Sequence, residues 1–229
     1  MELLYTPFSP FARKVRVVAH EKRLSEQIEL VLTEVGTHVP LCTPVHDQLA
    51  AVTPLLKVPV LIDGAERLYD SRVICEYLDG LSDGPRMFPE PGPRRWRALR
   101  RQATADGIMD AAILCRFEQA RPVERTWDEW LSAQTRRILL ALDTLDRAPP
   151  SADEFDIGAV SVACALGYLD FRFGYLGWRA GRISLARWFD ALRSRASMQE
   201  TNPGPSLPLT SPSSSKGAAA ARRRTTSRG

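Results

Sequence analysis

The sequence predicts an α/β N-terminal domain followed by an all-α C-terminal helical domain. Strand and helix patterns alternate over residues 1–80, and beyond residue 92 only helical periodicity remains. Between the two, residues 81–92 are rich in Gly, Pro and Asp, a composition typical of a linker. A chain of 229 residues is long enough for two domains. We therefore predict domains at 1–80 and 93–202, joined by a linker at 81–92.

The elements of the first domain follow from short apolar runs separated by turn residues. The predicted strands are Leu3–Tyr5, Ile28–Leu32, Lys57–Gly64 and Arg67–Tyr69, and the predicted helices are Phe11–Glu21 and one opened by Asp70-Ser71. An Asp-Gly turn closes the third strand, so the fourth is its hairpin partner. Residues 37–51 contain Pro40 and Pro44 and are expected to form a loop or a weak helix.

Ser9 and Pro10 stand where the first strand meets the first helix. Serine is a preferred N-cap residue, and proline is tolerated at the first helical position because that N–H has no partner in any case. A helix N-terminus collects unpaired amides and about half a positive charge, so it suits an anion. Two interpretations of Ser9 stay open: a cap alone, or a cap whose hydroxyl also holds a thiolate.

Pro59 is unusual for its place in a predicted strand. Proline removes a backbone donor, so it belongs at the start, the edge or a bulge of a strand. A cis Val58–Pro59 bond would leave the Val58 backbone open to an extended ligand. The alternative is a trans proline that begins an edge strand.

The second domain is predicted from helical periodicity alone. The expected helices are Arg94–Ala120, Val123–Leu145, Ile157–Phe173 with Asp156 as its N-cap, and Ser184–Leu192. Trp96 and Trp127 fall on the apolar sides of the first two and are expected in the core. The third is apolar nearly all round, which indicates burial on every side.

Composition excludes several classes of protein. No apolar run is long enough to span a membrane, and the N-terminus lacks the pattern of a secretory signal. Four cysteines occur without a CxxC pair or metal-like spacing, so we expect no metal and reduced thiols in a cytoplasmic protein.

The net charge of +4 comes from the last 27 residues. Residues 203–229 contain five basic residues and no acid, so residues 1–202 carry 26 basic and 27 acidic residues, a charge of −1. Because basic and acidic residues nearly balance in residues 1–202, the charge of this part does not indicate a specific nucleic-acid partner. The tail has no periodicity, and we expect it to be disordered and solvated, with contact to nucleic acid or membrane as the alternative. The abrupt change of composition at the start of the tail also fits a shifted reading frame or an added extension.

Taken in order, the motifs resemble those of bacterial glutathione S-transferases. The resemblance runs over about residues 1–200. It rests on Ser9-Pro10-Phe11-x-x-Lys14, Lys57-Val58-Pro59-Val60-Leu61, Asp70-Ser71, Ala105–Asp110 and Glu118–Pro122, followed by an all-helical half. Residues 53–56, Thr-Pro-Leu-Leu, depart from the Asn-Pro-x-Gly usual in that family. The resemblance implies a thioredoxin-like N-terminal domain, a homodimer, and glutathione as co-substrate with no other cofactor.

The resemblance also implies a role for each site residue. Ser9 would bond the glutathione sulfur, and Val58, before a cis Pro59, would pair with the cysteinyl backbone. Asp70 and Ser71 would hold the γ-glutamyl end, and Lys57 and His38 the glycyl carboxylate. The second substrate, a small hydrophobic electrophile, would lie in a pocket lined by these residues: Phe8, Phe11, Met109, Ile113 and Arg116.

The function this implies is conjugation of the glutathione thiolate to small, mostly apolar electrophiles, as in detoxification. Two alternatives stay open. One is a non-catalytic protein that keeps the fold to bind partners, and the other is a glutathione-dependent peroxidase. Disulfide reduction is disfavoured, because no cysteine lies near Ser9 in the sequence to form a mixed disulfide.

Overall fold

A computed structural model describes residues 1–35, 43–151 and 153–204 of the chain. Over these residues a four-stranded sheet with helices precedes a helical part, as the sequence predicts. The strands are β1 Glu2–Tyr5, β2 Glu29–Leu32, β3 Val60–Asp63 and β4 Glu66–Leu68. The helices are α1 Pro10–Glu21, α2 Pro44–Ala50, α3 Ser71–Gly80, α4 Pro93–Gln119, α5 Asp128–Arg147, α6 Ile157–Arg172, α7 Ile183–Ala191 and α8 Ala196–Glu200.

The sheet has the strand order β2-β1-β3-β4. β1 runs parallel to β2 and antiparallel to β3, and β3 runs antiparallel to β4. The register pairs Leu4 with Val60 and Leu61 with Leu68. The last residues of β1 and β4 and the first residue of β3 therefore lie at one edge of the sheet. The chain leaves that edge into the starts of α1 and α3.

The helical part is built around α4 and α6, which pack closely against each other. Gly158 at the start of α6 makes this approach possible, since a Cβ there would lie 2.6 Å from the carbonyl oxygen of Ala98 on α4. As predicted, α6 is buried along nearly its whole length, and its side chains join those of α4 in one apolar core with α1 and α3.

A buried ion pair ties the linker to the first domain. Lys22 Nζ lies 3.0 Å from Asp79 Oδ1, and both side chains are almost fully buried. The Asp79 carboxylate also accepts the backbone N–H groups of Met87 and Phe88, at 2.8 and 3.0 Å. Lys22 donates to linker carbonyls as well. One charged pair thus satisfies the backbone of the linker and fixes its path.

A second buried ion pair joins the two domains. Lys14 on α1 and Asp106 on α4 approach to 2.7 Å, with 0% and 2% of their side chains exposed. Arg72 on α3 donates its Nε to the other Asp106 oxygen, also at 2.7 Å. Asp106 therefore holds the first turns of α1 and α3 against the middle of α4.

Several details differ from the sequence predictions. Trp96 and Trp127 are 70% and 60% exposed, so the prediction that both lie in the core is wrong. Trp127 is the N-cap residue of α5, outside the helical repeat, and Trp96 lies in the first turn of α4. A short 3-10 helix occupies Val123–Arg125 ahead of α5, and α8 was not predicted.

Two predictions fall on residues that the structure does not describe. His38 lies outside the described residues, and of the tail 203–229 only residues 203 and 204 are described. Among the described residues, none of the helices combines the length and the apolar character needed to cross a lipid bilayer.

Candidate functional site

Ser9 is the N-cap of α1, as predicted. Its backbone is extended, and its Oγ accepts the N–H of Ala12 at 3.2 Å. A serine hydroxyl has one proton to donate besides its acceptor lone pairs. Capping therefore uses an acceptor site of Ser9 and leaves the proton able to bond an anion. The side chain is half-buried, beside Pro10 at the first helical position.

The residues predicted to meet the cysteinyl part of glutathione lie at the same sheet edge. Val58 and Pro59 immediately precede β3, whose first residue, Val60, pairs with Leu4 near the end of β1. The Val58–Pro59 peptide bond is cis, one of the two forms that the sequence left open. Pro59 is buried and Val58 is half-buried. The register thus brings Val58 next to the segment that leads into Ser9.

Asp70 and Ser71 lie at the same edge, on the far side of β3 from β1. They follow β4, which ends beside the start of β3. Asp70 is the N-cap of α3, and its Oδ1 accepts the N–H of Arg72 at 2.9 Å. Ser71, the first residue of the helix, is 2% exposed. The site therefore has two helix N-termini at one edge, each with unpaired amides suited to an anion.

Charged groups of α4 complete this side of the site. Burial and the negative charge of Asp106 raise the pKa of Asp110, while the positive charges of Lys57 and Arg72 oppose the shift. Lys57 is exposed and close enough to act on Asp110. Asp106, to which the sequence motif gave no role, anchors Arg72 next to Ser71.

The residues predicted for the second-substrate pocket do not all lie at a surface. Phe8 is 38% exposed, Phe11 is partly buried against the core, and Ile113 and Arg116 are half-buried. Met109 is fully buried in the core, because α4 packs closely along α6. Of the set, only Met109 is withdrawn from the surface, and the other four residues keep part of their surface exposed.

Three residues of α6 that sequence reasoning missed lie against Phe8. The rings of Phe8 and Phe171 stack at 6.0 Å, and the guanidinium of Arg172 lies 4.0 Å from the Phe171 ring centre. Tyr168 and Ser9 line the same small cavity. The i, i+4 spacing of Tyr168 and Arg172 was the available signal. It was obscured because α6 is apolar nearly all round.

The thiols of the described part of the chain lie away from solvent. Burial raises the pKa of Cys75 to about 12 and that of Cys164 to about 11. Cys115 is buried too, and burial raises its pKa. Across the same described ranges, His, Cys, Asp and Glu side chains form no group of three or more able to hold a metal ion. The nucleophile supplied by this site is therefore not a described cysteine.

Two families of domains match the chain. Residues 3–86 match the family described as "Glutathione S-transferase, N-terminal domain". Residues 128–191 match the family described as "Glutathione S-transferase, C-terminal domain". The first match includes every described residue of the sheet edge, from Ser9 to Ser71, and the second includes all of α5, α6 and α7.

Similar proteins of full length are also known. The chain is 32% identical over 208 residues to the uncharacterized GST-like protein YibF of Escherichia coli K12, covering 89% of this chain and 98% of that protein. A glutathione transferase family member from Pseudomonas fluorescens Pf-5, solved with bound glutathione, is 41% identical, with a TM-score of 0.83 over 90% of this chain and 99% of that one. The same family member was also solved with S-(propanoic acid)-glutathione, with a TM-score of 0.79. A glutathione S-transferase from Methylobacillus flagellatus, solved with glutathione bound, is 35% identical, with a TM-score of 0.78 over 88% and 98% of the two chains.

Proposed function

The chain belongs to the glutathione S-transferase family, and from that premise we propose that it conjugates glutathione, through its thiolate, to small electrophiles. The observation that carries the proposal is the meeting of three segments at one sheet edge. Ser9, Val58 and Asp70-Ser71 come from distant parts of the sequence, and the strand register brings them together. In this proposal Ser9 is the catalytic residue, and it binds the thiolate.

The thiolate is the nucleophile, and stabilising it requires a modest free energy. A free thiol has a pKa of about 8.5, and lowering it by about two units takes roughly 2.7 kcal/mol of preference for the anion. One charge-assisted hydrogen bond, here from the Ser9 hydroxyl, supplies about 1.5–3 kcal/mol. The N-terminus of α1 adds up to about 2 kcal/mol in a partly buried position. These two contributions suffice without a metal or a general base.

The rest of the tripeptide has a partner of matching chemistry at each position. The Val58 backbone pairs with the cysteinyl unit of the extended ligand, as an added strand would. Asp70 binds the γ-glutamyl ammonium, and Ser71 with the amides of α3 binds the γ-glutamyl carboxylate. Lys57, exposed beside this edge, is the described candidate for the glycyl carboxylate.

The related structures support glutathione as the ligand. The family member from Pseudomonas fluorescens Pf-5 binds glutathione and, in a second structure, S-(propanoic acid)-glutathione. The second ligand has the form of a product, because its sulfur already carries a substituent. The acceptor in our protein would approach the sulfur from the side of Phe8. A homodimer, expected from the family, stays a prediction that sedimentation at micromolar concentration tests.

The test is conjugation of glutathione to 1-chloro-2,4-dinitrobenzene, followed by absorbance from pH 5.5 to 9. Ser9→Ala should lower kcat/KM by roughly ten- to hundredfold at pH 6.5, because the lost hydrogen bond raises the thiol pKa by about one to two units. The rate should recover as the pH rises through the new pKa. Ser9→Thr, which keeps both a capping oxygen and a hydroxyl, is the matched control.

Two outcomes would contradict the proposal. Equal kcat/KM values and equal pH profiles for the wild type and Ser9→Ala would remove Ser9 from the mechanism. Calorimetry that detects no heat with millimolar glutathione would favour the non-catalytic binding protein. Melting temperatures of both variants show whether the lost cap, typically worth about 1 kcal/mol, has unfolded α1 instead.

A further inference from the structure

A buried arginine lies directly behind Ser9. Arg13 follows Ser9 by four residues on α1, which places it about 6 Å further along the helix axis. Only 8% of it is exposed, and it lines the same small cavity as Ser9 and Pro10. That cavity has a volume of about 10 Å³, enough for a single water molecule at most. Arg13 is therefore packed against the Ser9 segment and does not form the wall of a ligand pocket.

Neutral groups hold the guanidinium of Arg13. Its Nη2 donates to the Met198 carbonyl oxygen at 2.9 Å, and its Nε donates to Thr201 Oγ1 at 3.3 Å. Gly167 of α6 leaves room for it, since an added Cβ there would overlap Arg13 Nη1. No carboxylate in the described part of the chain pairs with Arg13, and the residues outside that part include neither Asp nor Glu. Buried charges in proteins are normally paired, so Arg13 is an exception.

The titratable side chains of α6 beside Arg13 do not supply a negative charge. Cys164 and Tyr168 line the same cavity as Arg13. Burial raises the pKa of Cys164 to about 11 and also raises that of Tyr168, so both are uncharged in the neutral range. Arg172, one turn after Tyr168, is half-buried and has interactions of its own. These side chains therefore leave the charge of Arg13 uncompensated.

The charged side chains nearest to Arg13 on α1 and α8 have other partners. Lys14 is buried against Asp106 of α4 at 2.7 Å. Glu200, the acid of α8, is 66% exposed and lies 3.3 Å from His20 Nε2. Arg13 thus keeps an uncompensated positive charge close to Ser9, in a place from which water is largely excluded.

We infer that Arg13 stabilises the thiolate of bound glutathione by its charge, as a positioning residue that does not touch the sulfur itself. This rests on the proposed function and adds a third contribution to those of the Ser9 hydroxyl and the α1 N-terminus. Attraction between charges is stronger in a partly buried site than in water, so the guanidinium acts on the sulfur across the Ser9 segment. The thiol proton goes to solvent with or without Arg13, and the charge shifts that equilibrium toward the anion.

The test is a titration of the thiolate in the complex with glutathione, read from its ultraviolet absorbance between pH 5 and 9. Arg13→Gln should raise the pKa of the bound thiol by about one unit, the effect of a unit charge about 10 Å away at an effective dielectric constant of about 20. At a pH below both pKa values, kcat/KM for 1-chloro-2,4-dinitrobenzene should fall about tenfold, and it should recover toward pH 9.

Two further variants of Arg13 separate its charge from its hydrogen bonds. Arg13→Lys keeps the charge but cannot reproduce the fork that bonds Met198 and Thr201. The pKa of the bound thiol should return most of the way to the wild-type value, while the melting temperature stays below that of the wild type. Arg13→Met is a second neutral variant, because apolar side chains of similar volume are often tolerated in place of buried charges. It should give the same pKa as Arg13→Gln, and it serves as the neutral variant if Arg13→Gln does not fold.

Arg16→Gln is the matched control. Arg16 lies about one turn after Arg13 on α1 and also donates to a carbonyl oxygen of α8, that of Glu200, at 3.2 Å. It is more exposed than Arg13 and does not line the cavity beside Ser9. Its replacement removes one positive charge and one bond to α8, as Arg13→Gln does. Because solvent screens its charge, it should shift the pKa of the bound thiol by far less.

The outcomes distinguish this inference from the proposed function. Equal thiol pKa values in the wild type and the neutral Arg13 variants overturn it, and so does an equal shift in Arg16→Gln. A shift as large in Arg13→Lys as in Arg13→Gln overturns the role of the charge. If glutathione binds and its thiolate titrates but the wild type does not accelerate conjugation, the proposed function fails, while the absorbance still tests Arg13. If glutathione does not bind, both fail.

Discussion

The ion pair between Lys14 and Asp106 offers a sharp test of how the two domains are held together. Replacing Lys14 by Met keeps most of its length but removes the charge that lies 2.7 Å from the Asp106 carboxylate. Both side chains are almost fully buried. Breaking a buried pair by removing one partner costs about 3–5 kcal/mol, because the other charge stays desolvated. Asp106 keeps Arg72, whose side chain is 51% exposed, so we expect the lower end of that range.

The double variant Lys14→Met/Asp106→Leu separates two effects. A single substitution leaves one unpaired charge buried, whereas the double variant loses the attraction between the charges without leaving either of them behind. Replacing both charges by apolar groups of similar volume is often neutral or stabilising. We therefore expect the double variant to be more stable than the sum of the single losses predicts, by about 2 kcal/mol or more. The free energies of unfolding come from urea titrations at pH 7 followed by circular dichroism.

Asp110→Asn is the control for this cycle. Asp110 lies one turn after Asp106 on the same helix, is only partly buried and makes no ion pair with a described residue, so its replacement should change the unfolding free energy by only about 0.5 kcal/mol. If the double variant loses as much unfolding free energy as the two single variants together, the reasoning is refuted. A Lys14→Met loss no larger than that of Asp110→Asn would refute it as well. Because Lys14 lies five residues after Ser9, the single variant should also weaken glutathione binding.

Three further predictions concern stability and one concerns thiol reactivity. Gly158→Ala should destabilise by about 1–3 kcal/mol in urea titrations, because its Cβ would meet α4 backbone, whereas the open Gly107→Ala should be neutral or stabilising. Leu56→Gly should raise the melting temperature, since Leu56 has a φ of 51°, where a side chain costs about 1–2 kcal/mol. Burial raises the pKa of Asp156, so the stability of the wild type relative to Asp156→Asn should be greatest below the unfolded-state pKa and fall as pH rises through the folded-state pKa. Cys75, with its pKa raised to about 12, should react with iodoacetamide, as read by mass spectrometry, only once urea unfolds the protein.

Features that depend on a few neighbouring residues could be predicted from the sequence. Ser9 and Asp156 are helix N-caps as expected, and Asp70 caps the helix that Asp70-Ser71 was expected to open, because a cap bonds an amide only two or three residues ahead. The predicted start of α4, at Arg94, differs from the observed start at Pro93 by only one residue, because Gly92 and Pro93 mark this start locally. The order of strands and helices, and hence the family, followed from these local signals.

The facing of helices could not be predicted in the same way. Periodicity assigned Trp127 to the core, and the family resemblance assigned Met109 to the pocket, whereas the structure places Trp127 at the surface and Met109 in the core. Which residues of an apolar helix face are covered depends on how far the neighbouring helix extends, and periodicity does not give that extent. The apolar pattern of α6 could not indicate which face of the helix points toward the core, because nearly every position is buried.

The amino-acid sequence by itself determined where helices begin, where the chain turns, and which motifs could form a thiolate site. The tertiary structure alone decided what lies opposite Ser9. Lys14 and Asp106 are 92 positions apart, and Phe8 and Phe171 are 163 apart, so no local rule relates them. They meet because the strand register and the close packing of α4 on α6 bring distant segments to one edge of the sheet.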